Sequence, residues 1–290
     1  NPNYMRKINL FLSAIAIVSI AFFSSCSKDD EPDSGHPFIE IKDEATFHGN
    51  FKSDIVVVNT QGGPVTKLED DELKDIIQES KMNDALFVNV HQAQTKEPHL
   101  FIKTDITFDD AKKYNKSSVE RLRKVVDYFK KKNKKVYVLG ISFGAFMTQE
   151  LIASYGIDVA NGYLIMVGRL DIEEATWKPF SEGKMTSYKY DNDGNYTIEE
   201  DKNKIPVDVR NMARLAAGLG FNRYTEKLKN ANDLSKITYV FGTRDEQVGS
   251  LSKTEIKFLA DRKAKIFKND GANHEKAIVA GIGLIEQLFK

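Results

Sequence analysis

The residues Val136-Tyr137-Val138-Leu139 form a short apolar run that passes directly into Gly140-Ile141-Ser142-Phe143-Gly144, and then into a helical apolar pattern through Phe146, Met147 and Leu151. A strand that becomes a helix within five residues must turn sharply and pass close to its neighbours. Gly140 and Gly144 suit such a backbone because neither carries a Cβ that would clash. A Gly-x-Ser-x-Gly turn lifts the central serine hydroxyl above the edge of a sheet. The helix behind it aims unpaired N–H groups and its positive dipole end at the same point. Ser142 is therefore the candidate nucleophile. A glycine-serine-glycine loop taken alone also reads as a plain turn, so the rest of the chain has to decide.

That chain alternates. Ile55-Val56-Val57-Val58-Asn59 is a continuous β-branched run, as expected of a strand buried on both faces, and it ends in the glycine-rich Thr60-Gln61-Gly62-Gly63-Pro64. A helix is predicted over residues 71–81 and a strand over residues 86–90. Ser117-x-x-Glu120 has capping-box spacing ahead of Leu122, Val125, Val126 and Phe129, which fall on one helical face. Further strands are predicted at residues 163–167, 237–241 and 265–267. A last helix is predicted with Ile278, Gly281, Leu284, Ile285 and Leu288 on one stripe. Residues 38–41 and 45–49 read as a short antiparallel pair. The pattern predicts an α/β fold with a mostly parallel central sheet and helices on both faces. In such sheets ligands meet the carboxyl ends of the strands.

Residues 171–235 break the alternation and exceed an ordinary connection. They are read as an inserted cap, with a hairpin (residues 185–190 and 195–198 around Asn192-Asp193-Gly194) and a helix bearing Met212, Leu215, Ala216 and Leu219 on one face. Asp191-x-Asp193-x-Asn195 brushes a calcium-loop pattern. Tyr196 stands where glycine is needed and Lys202 where a bidentate acid is needed, so a hairpin turn and no metal are expected. Trp177, Phe180, Tyr188 and Tyr190 could line an apolar pocket or simply be cap core. Arg210, Arg214 and Arg223 could meet an anionic substrate or lie on helix surface.

The formal net charge is zero, which gives no electrostatic reason to expect nucleic acid as a partner. Met5-Arg6-Lys7 precedes an apolar run over residues 8–23 and then Ser24-Ser25-Cys26, the arrangement of a secretory signal. The run contains Asn9 and falls short of the roughly 20 residues a spanning helix needs. Cys26, the only cysteine, follows the small residues and resembles a bacterial lipobox cysteine. That implies a lipid-modified N-terminus and leaves no cysteine for a disulfide. The acidic stretch after it resembles the surface-export signal of Bacteroidetes-type lipoproteins. The expected layout is a signal peptide (1–25), a flexible acidic tether (26–37), a core (38–170 and 236–290) and a cap (171–235). The expected location is the cell envelope, as an outer-membrane lipoprotein on its periplasmic or external face.

A serine nucleophile needs a base, an orienting carboxylate and N–H donors for the oxyanion. Among the five histidines, His36 and His48 precede the sheet and His99 sits in a polar loop. His91 ends a strand at the correct edge and rivals His274, which lies in the turn-forming stretch from Asn269 to the last helix. Asp245 follows the strand at residues 237–241, in Gly242-Thr243-Arg244-Asp245; Asp171 and Asp270 are alternative acids. The order Ser142, Asp245, His274, each after a strand, resembles that of the α/β-hydrolases over residues 38–290. The resemblance implies Ser142 as nucleophile, with Asp245 after the seventh family strand and His274 after the eighth. It also implies an oxyanion hole made by the N–H of Phe143 and one from the loop after that family's third strand, here Gln61-Gly62-Gly63-Pro64, Gly63 first and Gly62 next. Gln61 stands where that family often has histidine. No cofactor is implied. The expected reaction is cleavage of a small-molecule ester or an acylated glycan or lipid. Alternatives are a serine peptidase, although that type usually carries a large extra β domain, and a non-catalytic ligand-binding lipoprotein.

Overall fold

Val56, Val57 and Val58 are completely buried, so the strand they form has no solvent face. In the computed structural model, which describes residues 38–290, this strand lies inside a seven-stranded sheet. The signal segment, Cys26, the tether and His36 lie outside the described residues.

In chain order the elements are a 3₁₀ turn (Ile39–Ile41), β1 (Ala45–Gly49), β2 (Ile55–Thr60), α1 (Asp70–Ser80), β3 (Leu86–Val90), α2 (Phe108–Lys131), β4 (Lys135–Ile141), α3 (Phe143–Tyr155) and β5 (Gly162–Met166). Before the next strand of the sheet come α4 (Glu174–Ser181), β6 (Thr186–Tyr190), β7 (Tyr196–Glu200) and α5 (Val207–Gly220). The chain closes with β8 (Ile237–Gly242), α6 (Lys253–Asp261), β9 (Lys265–Asn269), α7 (His274–Ile282) and α8 (Ile285–Phe289). The sheet order is β1-β3-β2-β4-β5-β8-β9. Only β1 is antiparallel to its neighbour. Side chains alternate across it. On one face Val57, Phe87, Leu139, Leu164 and Val240 pack with Leu73 and Ile76 of α1, Ala277 and Ile282 of α7, and Ile285 and Phe289 of α8. Helices α2 and α3 pack against β2 and β4.

Three expectations are corrected. Residues 38–41 do not pair with β1: they turn, with Glu44 N–H donating to the Ile41 carbonyl at 2.9 Å, and β1 pairs with β3 instead. The sheet thus has seven strands, one fewer than the family count implied. Helix α2 begins at Thr107, not near Ser117. Thr107 Oγ1 accepts from Asp110 N–H (3.1 Å) while the Asp110 carboxylate accepts from Thr107 N–H (3.2 Å). Ser117 lies inside the helix, two turns or more from a free N-terminus. The last apolar stripe is two helices, because the chain breaks at Gly283.

The segment between β5 and β8 is tied to the loop before α2. Arg210 and Arg214 both reach the carboxylate of Asp105, at 2.6 and 2.5 Å. Their hydrogen bonds and charge hold the Asp105 carboxyl well below the usual range. Asn211 Nδ2 donates to the carbonyls of Phe101 (2.9 Å) and Thr104 (2.8 Å), and within the segment itself Arg223 pairs with Asp171 at 2.9 Å. These arginines are therefore spent on internal carboxylates. At the hairpin tip the Asp191 carboxylate accepts from Asn195 N–H (2.9 Å) and Nδ2 (3.0 Å), a turn lock of ordinary kind.

Candidate active site

Register places the elbow between two strands whose ends matter. Thr60 of β2 is level with Gly140, and Ile141 is level with Met166 of β5. Ser142 has φ 53° and ψ −113°, a conformation that a non-glycine residue holds only when its surroundings enforce it. The enforcement is visible. Ser142 N–H donates to the Met166 carbonyl at 3.0 Å. A Cβ on Gly144 would stand 1.8 Å from the Thr60 carbonyl oxygen, and one on Gly140 would stand 2.3 Å from Thr148 Oγ1. Both glycines are sterically required. Ser142 is 8% exposed. Among the described residues its hydroxyl has no hydrogen-bond partner, so the structure brings Asp245 to His274 but shows no bond between His274 and Ser142.

Asp245 and His274 meet two strands away, at the same sheet edge. Gly242 ends β8 so close to the next loop that a Cβ there would lie 2.3 Å from the Ala272 carbonyl oxygen. Arg244 N–H donates to that same oxygen (3.0 Å), and Gly271 N–H donates to Thr243 Oγ1 (2.8 Å). The two loops therefore run in contact. His274 is the first residue of α7, capped by Asn273, whose side chain accepts from Lys276 N–H. Its Nδ1 lies 2.7 Å from Asp245 Oδ2. Asp245 Oδ1 accepts from the N–H groups of Gln247 (2.9 Å) and Val248 (3.1 Å). Asp245 is 1% and His274 5% exposed. A carboxylate on Nδ1 fixes that nitrogen as the N–H and leaves Nε2 with a lone pair.

The loop after β2 lies against the elbow: a Cβ on Gly62 would sit 3.6 Å from Ser142 Cβ. Gly63 has φ +114° and its Cβ position is 2.5 Å from Val65 N, so no side chain fits there. Gln61 shuts the loop from inside. Its Nε2 donates to the Lys67 carbonyl (2.9 Å), its Oε1 accepts from Glu69 N–H (2.8 Å), and its backbone carbonyl accepts from Gln92 Nε2 (3.0 Å).

No protein-family model matches the sequence, and no curated protein is significantly similar to it. Solved structures are similar in shape. TT1662 from Thermus thermophilus aligns over 84% of this chain and 92% of its own, at 12% identity and TM-score 0.52. MGS-M2, an alpha/beta hydrolase enzyme from a Medee basin deep-sea metagenome library, covers 82% and 91% at 13% identity and TM-score 0.51. A lipase-esterase related protein from Clostridium acetobutylicum covers 85% and 100% at 11% identity and TM-score 0.51. The chain has the α/β-hydrolase fold.

Within this α/β-hydrolase fold the other candidates go elsewhere. His91 Nδ1 contacts Thr95 Oγ1 at 3.1 Å, at the end of β3, which β2 separates from the elbow strand. Burial, aided by Lys96 and Arg121, lowers its pKa. Asp171 binds Arg223 and Thr225, and Asp270 is exposed and paired with Lys268. Tyr188 is buried in a polar cluster rather than lining an apolar pocket.

Sequence reasoning missed that cluster. Arg169, 2% exposed just past β5, donates through Nε to both Glu255 oxygens at 3.0 Å and through Nη2 to Glu173 at 3.1 Å. Burial pulls the Arg169 pKa down, but the charge and hydrogen bonds of Glu255 outweigh it and hold the group above its ordinary value. Two signals were present: a charged residue directly after a buried strand, and the spacing Ser252-x-x-Glu255, which forms a true capping box on α6. Gln92, fully buried behind Gln61, carried no comparable signal.

Proposed function

We propose that the chain is a serine hydrolase cleaving an ester (acyl) bond through an acyl-enzyme. The observation that supports this most is the buried contact of His274 Nδ1 with Asp245 Oδ2, at the sheet edge where a strained turn presents Ser142. In this reading Ser142 Oγ attacks the carbonyl carbon and its proton passes to His274 Nε2. The N–H groups of Phe143 and Gly63, with Gly62 beside them, receive the oxyanion. Collapse of the tetrahedral intermediate breaks the acyl–oxygen bond, and His274 returns the proton to the leaving alcohol. Water then attacks the acyl-enzyme with His274 as base, which releases the carboxylic acid and restores Ser142. The Asp245 carboxylate holds the ring orientation and stabilises the imidazolium. Residues 171–235 cap this edge, and the substrate class is a small ester or an acylated glycan or lipid.

A fluorophosphonate probe tests the nucleophile directly. Labelling at Ser142 is expected, with loss of both the label and the hydrolysis of short activated esters in Ser142→Ala. A folded wild-type protein whose Ser142 stays inert would instead be a ligand-binding lipoprotein. Rates across acyl chain lengths, acetylated glycans and peptides then rank the substrates, the peptidase alternative included.

We propose further that Cys26 carries the lipid that anchors the protein in the outer membrane. Expression with labelled palmitate in a bacterial host should label the wild type and not Cys26→Ala. Equal labelling of the two would remove the assignment.

A further inference from the structure

The β6–β7 hairpin is joined to the Asp245 loop at several points. Tyr188 N–H donates to the Glu246 carbonyl at 2.9 Å. The Tyr190 hydroxyl donates to the Asp245 carbonyl (3.2 Å) and accepts from Ser250 N–H (3.0 Å), so one side-chain oxygen spans both ends of loop 245–250. Gly249, at φ +78°, lies flat on the hairpin: a Cβ there would be 2.8 Å from the Tyr188 ring and 2.8 Å from Arg169 Nη1. Arg244 Nη2 donates to the Asn192 carbonyl at 2.8 Å. The hairpin is itself held, because Tyr188 donates to Glu173 at 2.6 Å and Glu173 is paired with Arg169.

These contacts bear on one carboxylate. Asp245 Oδ1 is fastened by the N–H groups of Gln247 and Val248, which lie inside the stretch that Tyr190 bridges. If the bridge opens, those two donors move relative to Asp245, and the aim of Oδ2 at His274 moves with them. Burial, with a contribution from the Asp245 charge, pushes the Tyr190 hydroxyl up to about 12. It therefore remains a donor throughout the range in which a histidine titrates.

We propose that Tyr190 is a positioning residue for Asp245: the hairpin of the insertion sets the carboxylate that orients His274. The proposal rests on the reading of Asp245 and His274 as acid and base. It makes the hairpin a fixed support of the Asp245 loop.

Tyr196 supplies the control. Its hydroxyl donates to Glu173 at 2.7 Å in the same hairpin and makes no hydrogen bond to loop 245–250. Tyr190→Phe is expected to lower kcat about ten- to a hundredfold with KM unchanged, as for a small misplacement of a catalytic group. A weaker carboxylate contact stabilises the imidazolium less. The acid limb of the kcat/KM profile should therefore move to lower pH, by about one unit. The downfield proton resonance of His274 Nδ1–H, assigned by its loss in His274→Asn, should weaken and titrate lower in parallel. Tyr196→Phe should leave all of these at wild-type values. A Tyr190→Phe protein with wild-type kcat, profile and resonance would overturn the proposal, as would a Tyr196→Phe protein showing the same changes. The resonance needs no substrate, so it decides the positioning role even if Ser142→Ala retains full activity and the hydrolase reading fails.

Discussion

Asp245→Asn is expected to lower kcat about 10⁴-fold with the fold intact. The size follows from which way the new amide must face. Asp245 Oδ1 accepts two backbone N–H groups, from Gln247 and Val248. Only the amide oxygen of asparagine can take that place, so its NH₂ is turned toward His274. Nδ1 must then accept a hydrogen bond, which moves the imidazole proton to Nε2, the nitrogen that receives the Ser142 proton in the proposed reaction. The variant keeps shape, volume and loop hydrogen bonds but holds the wrong tautomer. The measurements are kcat on an activated ester and thermal unfolding. A variant with near wild-type kcat would show that Asp245 does not set the tautomer.

Glu255→Ala is expected to destabilise the protein by about 3–5 kcal/mol, because it takes the more buried of two carboxylate partners from a buried cation and leaves only Glu173. The carboxylate does more than pair with Arg169. It accepts from Leu170 N–H (2.8 Å), Asp171 N–H (2.9 Å) and Ser252 N–H (2.7 Å). Its removal leaves Arg169 and three backbone donors without that acceptor, and unmet buried donors are costly. At about 2–4 °C per kcal/mol for a domain of this size, Tm should fall by roughly 10 °C. Arg169→Ala should cost less, since the carboxylate it exposes keeps its three N–H donors. Urea unfolding of both variants gives the comparison, and equal costs would show that the backbone donors matter little.

Much of this arrangement was legible beforehand, for physical reasons that can be named. A doubly buried strand is mostly apolar, so the runs at β2, β3, β4, β5 and β8 announced themselves, although Asn59 and Asn89 are buried among them and bond to each other at 2.9 Å. The elbow was legible because a turn that brings backbone within 1.8 Å of a would-be Cβ tolerates only glycine. Asp245 and His274 were flagged by strand ends, and they lie 2.7 Å apart. The failures share one cause: local spacing without its surroundings. Ser117 and Glu120 have capping-box spacing, yet the helix had already started at Thr107, whose reciprocal bonds with Asp110 have the same spacing. Residues 38–41 carry strand-like composition, but β1 finds its partner in β3, far along the chain. The polar groups behind the site were hidden for another reason. Gln92 acts through a carbonyl brought to it only by the fold, and Arg169, although Glu173 stands four residues on, takes its second carboxylate from Glu255, 86 residues away.

Strand β9 ends the sheet on the side that carries His274. It has one neighbour, β8, and among its residues Lys265, Phe267 and Lys268 are exposed. An open strand edge invites a second chain to dock alongside. Lys265 and Lys268, three residues apart and so on opposite faces of the strand, make a like strand a poor guest there, since each face would have to desolvate an ammonium group. The edge thus guards against self-association at the strand that leads into the histidine loop, and replacing both lysines with threonine would turn that loop into a neighbour of an aggregation seam.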